Sequence, residues 1–247
     1  MAVPLSFLIC GTQKGGTTAL AHYLKQHPEV GLPETKELHF FDNESVDWSN
    51  PDYGAYHAAF TNSDPQKIRG EATPIYMYWE PSAERIWRYN PAMRLIVILR
   101  NPITRAYSHW SMERGRGAEQ LSFGEAVAAE AIRSRSTLPL QDRVGSYVDR
   151  GYYCSQLRRL WRFFGREAVL VLRQDDLLDQ HQQTLNTICT HLGLAPMPPV
   201  AAERRHEGHY DQPMDADCRN RLRELFWHEI GQLETMLGWN CRSWLQA

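Results

Sequence analysis

Short apolar runs alternate with amphipathic stretches along this chain, and the alternation predicts its elements. Residues 5–10 (LSFLIC) form an apolar run bounded by Pro4 and Gly11, the pattern of a strand buried on both faces. Residues 94–99 (RLIVIL) and 169–172 (VLVL) read the same way, and 67–71 is a weaker strand. Residues 17–27 place Leu20 and Leu24 on one helical face and stop before Pro28. Further helices are predicted over 104–114, 122–131, 154–164 and 184–192, the last closed by Gly193, and over 215–237 with Gly238 just beyond. Strands alternating with helices predict a parallel, doubly wound sheet.

With 247 residues, the chain suits one α/β domain spanning 1–247. It is 43% hydrophobic with a net charge of −2, so no global basic field recruits nucleic acid or an anionic membrane. Any anion site must be built locally. The five cysteines are scattered with no CxxC pair, which argues against a disulfide framework or zinc ribbon and favours a reducing compartment. The first apolar run lacks a basic flank and stops at Gly11, so it reads as a strand, and no apolar stretch approaches the length of a membrane span. A cytoplasmic protein is expected.

The strongest chemical signal is the stretch from Gly11 to Thr18, GTQKGGTT, set between a predicted strand and a predicted helix. Glycines let such a loop curl its amides inward, and the helix start adds unpaired amides, so Gln13, Lys14, Gly15, Gly16, Thr17 and Thr18 are candidates to cradle a phosphate. Against the Walker pattern GxxxxGK(S/T), Gly11 and Gly16 fit, but Thr17 stands where the lysine belongs and Lys14 lies inside the loop. The run RLIVIL ends in Arg100, a cation that suits phosphate and opposes the magnesium a kinase needs. These residues predict a nucleotide 5′-phosphate site without metal. A P-loop small-molecule kinase and a non-catalytic nucleotide-binding module are the competing readings.

GTQKGGTTAL, RNPITRAYS and ETKELHFF resemble the PAPS-dependent sulfotransferase family, in particular the heparan sulfate N- and O-sulfotransferase domain and its bacterial relatives. The resemblance implies a P-loop-like three-layer α/β fold with a central, mostly parallel sheet flanked by helices. It also implies transfer of the sulfuryl group of 3′-phosphoadenosine 5′-phosphosulfate (PAPS) to a hydroxyl or amine of a small-molecule or saccharide acceptor, releasing PAP, with no metal. By the same resemblance the first motif binds the 5′-phosphosulfate end, and Arg100 and Ser108 grip the 3′-phosphate. Gly151-Tyr152, followed by Leu157 and Trp161, resembles the family's GxYxxxLxxW helix start, making Tyr152 a cofactor candidate. Gly208, His209 and Tyr210 resemble the start of its cofactor-covering loop. Residues 43–67 and 117–144 match nothing recognisable.

The resemblance makes Glu37 the general base and places Lys14 at the leaving group, with His39 as the alternative base. Burial beside Phe40 and Phe41 would raise the Glu37 pKa and Lys36 would lower it. Ala72, in GEATP, stands where the polysaccharide-modifying members have lysine, which favours a smaller acceptor over a polyanionic glycosaminoglycan. His39, His206 and His209 lack metal-ligand spacing. Arg204 and Arg205 either touch the cofactor's phosphate or are solvated. Trp87, Trp110, Trp161 and Trp227 follow helix patterns and are expected in the core.

Overall fold

The computed structural model describes residues 4–60, 64, 67–202 and 213–246. In chain order the elements begin β1 (Phe7–Gly11), α1 (Thr17–Leu24), β2 (Val30–Gly31), α2 (Gly54–Ala58), β3 (Ile68–Ala72), α3 (Ser82–Tyr89) and β4 (Arg94–Leu99). They continue with α4 (Pro102–Gly115), α5 (Phe123–Ser136), α6 (Tyr153–Phe164), β5 (Val169–Arg173), α7 (Gln174–Asp179), α8 (His181–Leu192), α9 (Ala216–Leu237) and α10 (Arg242–Gln246). The chain divides into two compact units, Met1–Leu99 with Arg159–Arg205 and Arg100–Arg158 with His206–Ala247.

The first unit is a five-stranded sheet in the order β2-β3-β1-β4-β5, and every ladder is parallel. Phe7 lies beside Gly70 on one side and Arg94 on the other, so β1 is central, and all five of its residues are buried. The expected P-loop-like α/β fold with a parallel sheet flanked by helices is the one observed. Leu20 and Leu24 of α1 and Leu185 and Ile188 of α8 pack with Ile96, Ile98 and Leu172 of the sheet. Each such side chain, fully buried, contributes about 1.5–3 kcal/mol relative to exposure, more than a helix cap does.

In the second unit α4 packs against α5, α9 and a 3-10 turn at Asp149–Gly151. Asn101 and Pro102 start α4 immediately after Arg100: the Asn101 side chain accepts from the Ile103 amide at 3.0 Å, and Pro102 occupies the first turn. Ser122 and Glu125 form a capping box on α5, and Asp215 caps α9.

The apolar strands appear where the pattern put them, although the strand RLIVIL ends at Leu99 and Arg100 follows it. Ser108 lies in the second turn of α4. The tryptophan expectation fails. Trp87 and Trp227 are exposed and Trp110 and Trp161 only half-buried, while the buried tryptophans are Trp79 and Trp244. A helical position fixes the direction a side chain leaves the axis, not which face finds a neighbour. Among the described residues, no helix is long and apolar enough to cross a membrane.

Candidate active site

The loop after β1 is tied into the sheet. The Thr12 amide donates to the Ile98 carbonyl of β4 at 3.0 Å, and the Gly15 amide closes a turn onto Thr12 at 2.9 Å. A Cβ at Gly15 would stand 2.4 Å from the Ile98 carbonyl oxygen, so only glycine lets the loop approach the strand this closely. Gly16 opens α1 at φ 106, and the first amides of that helix have no intrahelical partner. This backbone suits a phosphate. Gln13 and Lys14 are half-buried, and Thr18 is exposed on the first helical turn.

The acidic segment forms a charged chain. Lys36 donates to Glu37, whose Oε2 lies 3.6 Å from His39 Nε2, and His39 Nδ1 sits 3.0 Å from the buried Asp42 carboxylate. Burial, the largest influence on Glu37, pushes its carboxyl up, but hydrogen bonds from His39 and Lys36 and the two charges outweigh it and hold the group at about 2. The hydrogen bonds to Asp42 and Glu37 raise His39 to about 9, against some desolvation, so it carries a proton at neutral pH.

Below this chain lies a carboxylate that sequence reasoning missed. Glu71, on β3 beside β1, is fully buried, and burial pushes its pKa up. It accepts from Thr73 Oγ1 at 2.6 Å, Tyr76 OH at 2.7 Å and Tyr56 OH at 3.0 Å. The Tyr76 hydroxyl in turn accepts from the Phe40 amide at 3.0 Å. Although Glu71 sits near the end of a strand flanking β1, where a kinase would want its magnesium carboxylate, these hydroxyls occupy it. Its neighbourhood in GEATP was the available signal; its partners come from residues scattered between 38 and 76.

Among the described residues, three that are not glycine have positive φ: Lys14 at 66, Glu37 at 65 and His39 at 52. Left-handed backbone at side-chain-bearing residues costs about 1–3 kcal/mol each and concentrates at functional sites. These are the same three residues that the motifs single out for chemistry.

Arg100, Ser108 and Tyr152 belong to the second unit. Arg100 donates through Nε to Thr104 Oγ1 at 3.1 Å, and its carbonyl accepts from the Tyr153 hydroxyl at 2.8 Å. Ser108 is buried. The Tyr152 ring packs 5.5 Å from Phe226. Gly208, His209 and Tyr210, with Arg204, Arg205 and His206, lie outside the described residues.

A family model described as a sulfotransferase domain matches residues 4–230. Heparan sulfate glucosamine 3-O-sulfotransferase 5 of Homo sapiens is 29% identical over 194 residues, covering 76% of this chain and 53% of that protein. The chain thus spans about half the length of that relative. The crystal structure of a sulfotransferase from Alicyclobacillus acidocaldarius aligns with a TM-score of 0.83 at 27% identity, covering 98% of this chain and 99% of that one. The mouse sulfotransferase SULT7A1, solved in complex with PAP, shares the fold at a TM-score of 0.51 and 15% identity, over 78% of this chain and 60% of that one. A match that begins before β1 and ends within α9 establishes that this chain belongs to the sulfotransferase domain family.

Proposed function

We propose that the chain transfers the sulfuryl group of PAPS to a hydroxyl or amine of a small-molecule or saccharide acceptor. The bond from the acceptor atom to sulfur forms, the bridging oxygen–sulfur bond breaks, and PAP leaves. The observation that carries this reading is the coincidence of left-handed backbone with Lys14, Glu37 and His39 and nowhere else among the described non-glycine residues. Lys14 neutralises charge on the departing oxygen, and Glu37 takes the acceptor's proton. His39, protonated and held by Asp42, orients Glu37 and leaves the base role to it. Gln13 to Thr18 hold the 5′ end, Arg100 and Ser108 the 3′-phosphate, and Tyr152 the nucleoside.

A smaller acceptor is favoured by Ala72, whose methyl is buried in the apolar core where polysaccharide-modifying members carry lysine. One family model covering residues of both units supports a single sulfotransferase domain. All five cysteines are free, which supports a reducing, cytoplasmic setting.

The test is an acceptor screen with PAPS, read by mass spectrometry, including phenols, aliphatic alcohols, amines and a sulfated polysaccharide. A sulfated small product is expected. Tight PAP binding with no product from any acceptor would instead make the chain a nucleotide-binding module, and magnesium-dependent phosphorylation from ATP would make it a kinase.

A further inference from the structure

Glu130 stands on α5 in the second unit and is buried. Taking a carboxylate out of water is costly unless it is hydrogen-bonded, and this one meets the backbone of a single turn. The Val148 amide lies 2.9 and 2.7 Å from its two oxygens, and the Asp149 amide donates to Oε1 at 2.7 Å. Val148 precedes the 3-10 turn at Asp149–Gly151 and supplies no side-chain cap, so a carboxylate from another helix takes the amides that such a start leaves open.

From this turn, hydrogen bonds lead on to Arg100. Gln156 Nε2 donates to the Arg150 carbonyl at 3.2 Å and to the Tyr152 carbonyl at 2.9 Å, fastening the turn to the start of α6. Tyr153, the first residue of α6, donates its hydroxyl to the Arg100 carbonyl at 2.8 Å. Tyr152 lies between Glu130 and Arg100 on this path, and all of its members belong to the second unit.

Both Glu130 oxygens face amide donors. A carboxylate accepts through both, whereas the hydroxyl oxygen of the neutral acid accepts poorly, so the ionised form holds the turn better. Asp149 of the turn opposes that form and Arg105 of α4 favours it; the Tyr152 phenol also lies within the carboxylate's field. Burial outweighs the amide bonds and Arg105 and pushes the Glu130 carboxyl up to about 7.

We propose that Glu130 is a positioning residue for the nucleotide site: when ionised it holds the turn before Tyr152 and, through Tyr153, the backbone of Arg100. This rests on the reading of Arg100 and Tyr152 as residues of a PAPS site. PAP affinity then rises as Glu130 loses its proton.

Calorimetric titration of PAP into the wild type, Arg100→Ala, Glu130→Gln and Tyr153→Phe across pH tests the assignment. Glu130→Gln should bind PAP about tenfold more weakly than wild type at about pH 8.5, and nearly equally at about pH 5.5, where the wild-type acid is neutral too. The 3′-phosphate titrates at about pH 6, but it does so against every variant, so the ratio of affinities removes it. Tyr153→Phe loses only a hydroxyl and answers the question should Glu130→Gln not fold: its loss should grow with pH in the same way. A loss equal at both pH values would mark Glu130 as merely structural and overturn the proposal, as would wild-type affinity in both variants. Arg100→Ala separates the two readings. If it binds PAP as the wild type does, the site reading fails along with the proposal; if it alone weakens PAP, only the proposal fails.

Discussion

The Leu38 amide donates to Glu71 Oε2 at 3.4 Å, linking a fully buried carboxylate of β3 to the residue between Glu37 and His39. The segment that carries Glu37 and His39 has no regular structure of its own, so its shape depends on such ties. Tyr56 and Tyr76 donate to the same carboxylate, and Tyr76 also accepts from the Phe40 amide, so one buried acid organises the loop from below.

Glu71→Gln tests that dependence. The amide has one acceptor oxygen where the carboxylate has two, and its NH₂ faces hydroxyl donors. Leaving buried donors unpaired costs about 1–3 kcal/mol, so chemical denaturation should show a loss of that size. Turnover should fall with it because Glu37 loses its backbone support. Stability and turnover equal to wild type would show that the loop holds its shape without Glu71.

Glu37→Gln keeps shape but cannot take a proton. General-base catalysis contributes about 10²–10⁴-fold, so turnover should fall by that range while PAP affinity, measured by calorimetry, stays near wild type. Retained turnover here combined with loss in His39→Ala would move the base to His39.

Lys14→Ala separates binding from chemistry. A cation at the departing oxygen matters most as charge develops there, so turnover should drop about 10²–10³-fold with a much smaller change in PAP affinity. Near-normal turnover would assign the leaving-group role to another cation.

The pairing of His39 with Asp42 and Glu37 also makes stability depend on pH in a defined direction. His39 is raised from 6.5 to about 9 in the fold, so its contribution is complete below about 6.5 and fades as pH rises toward 9. Glu37 is lowered from 4.5 to about 2, so its contribution is present above about 4.5 and is lost as pH falls toward 2. The difference in Tm between wild type and His39→Gln should therefore be largest near pH 5–6 and shrink by pH 9. A difference that stays constant across that range would show that His39 does not titrate against these carboxylates.

Much of this architecture is legible in the residues. The strands β1, β4 and β5 are runs of apolar side chains because both faces of a parallel sheet are covered, and α9 announces itself with Asp215 before it and Gly238 after it. Two-residue β2, five-residue α2 and six-residue α7 are too short to display a period. Lys14, Glu37 and His39 stand in motifs, whereas Asp42 and Glu71 acquire meaning only from hydrogen bonds that the folded chain creates. The balance between burial and pairing at Glu37 was also invisible until the His39 contact was known, because composition does not tell which neighbour reaches the carboxylate.

The parallel sheet sets the order in which this protein can come into being. Phe7 pairs with Gly70 and Arg94, and Leu95 pairs with Val169, so among the described residues no ladder joins strands that are close in the chain and no hairpin seeds the sheet. Long segments must be closed before the first ladder bond is gained, a topology that makes for slow folding. The glycine-rich loop leaves β1 early in the chain, yet its Thr12 amide needs the Ile98 carbonyl. A chain still being synthesised therefore carries the loop's residues long before it possesses the loop, which is complete only once β1 and β4 have paired.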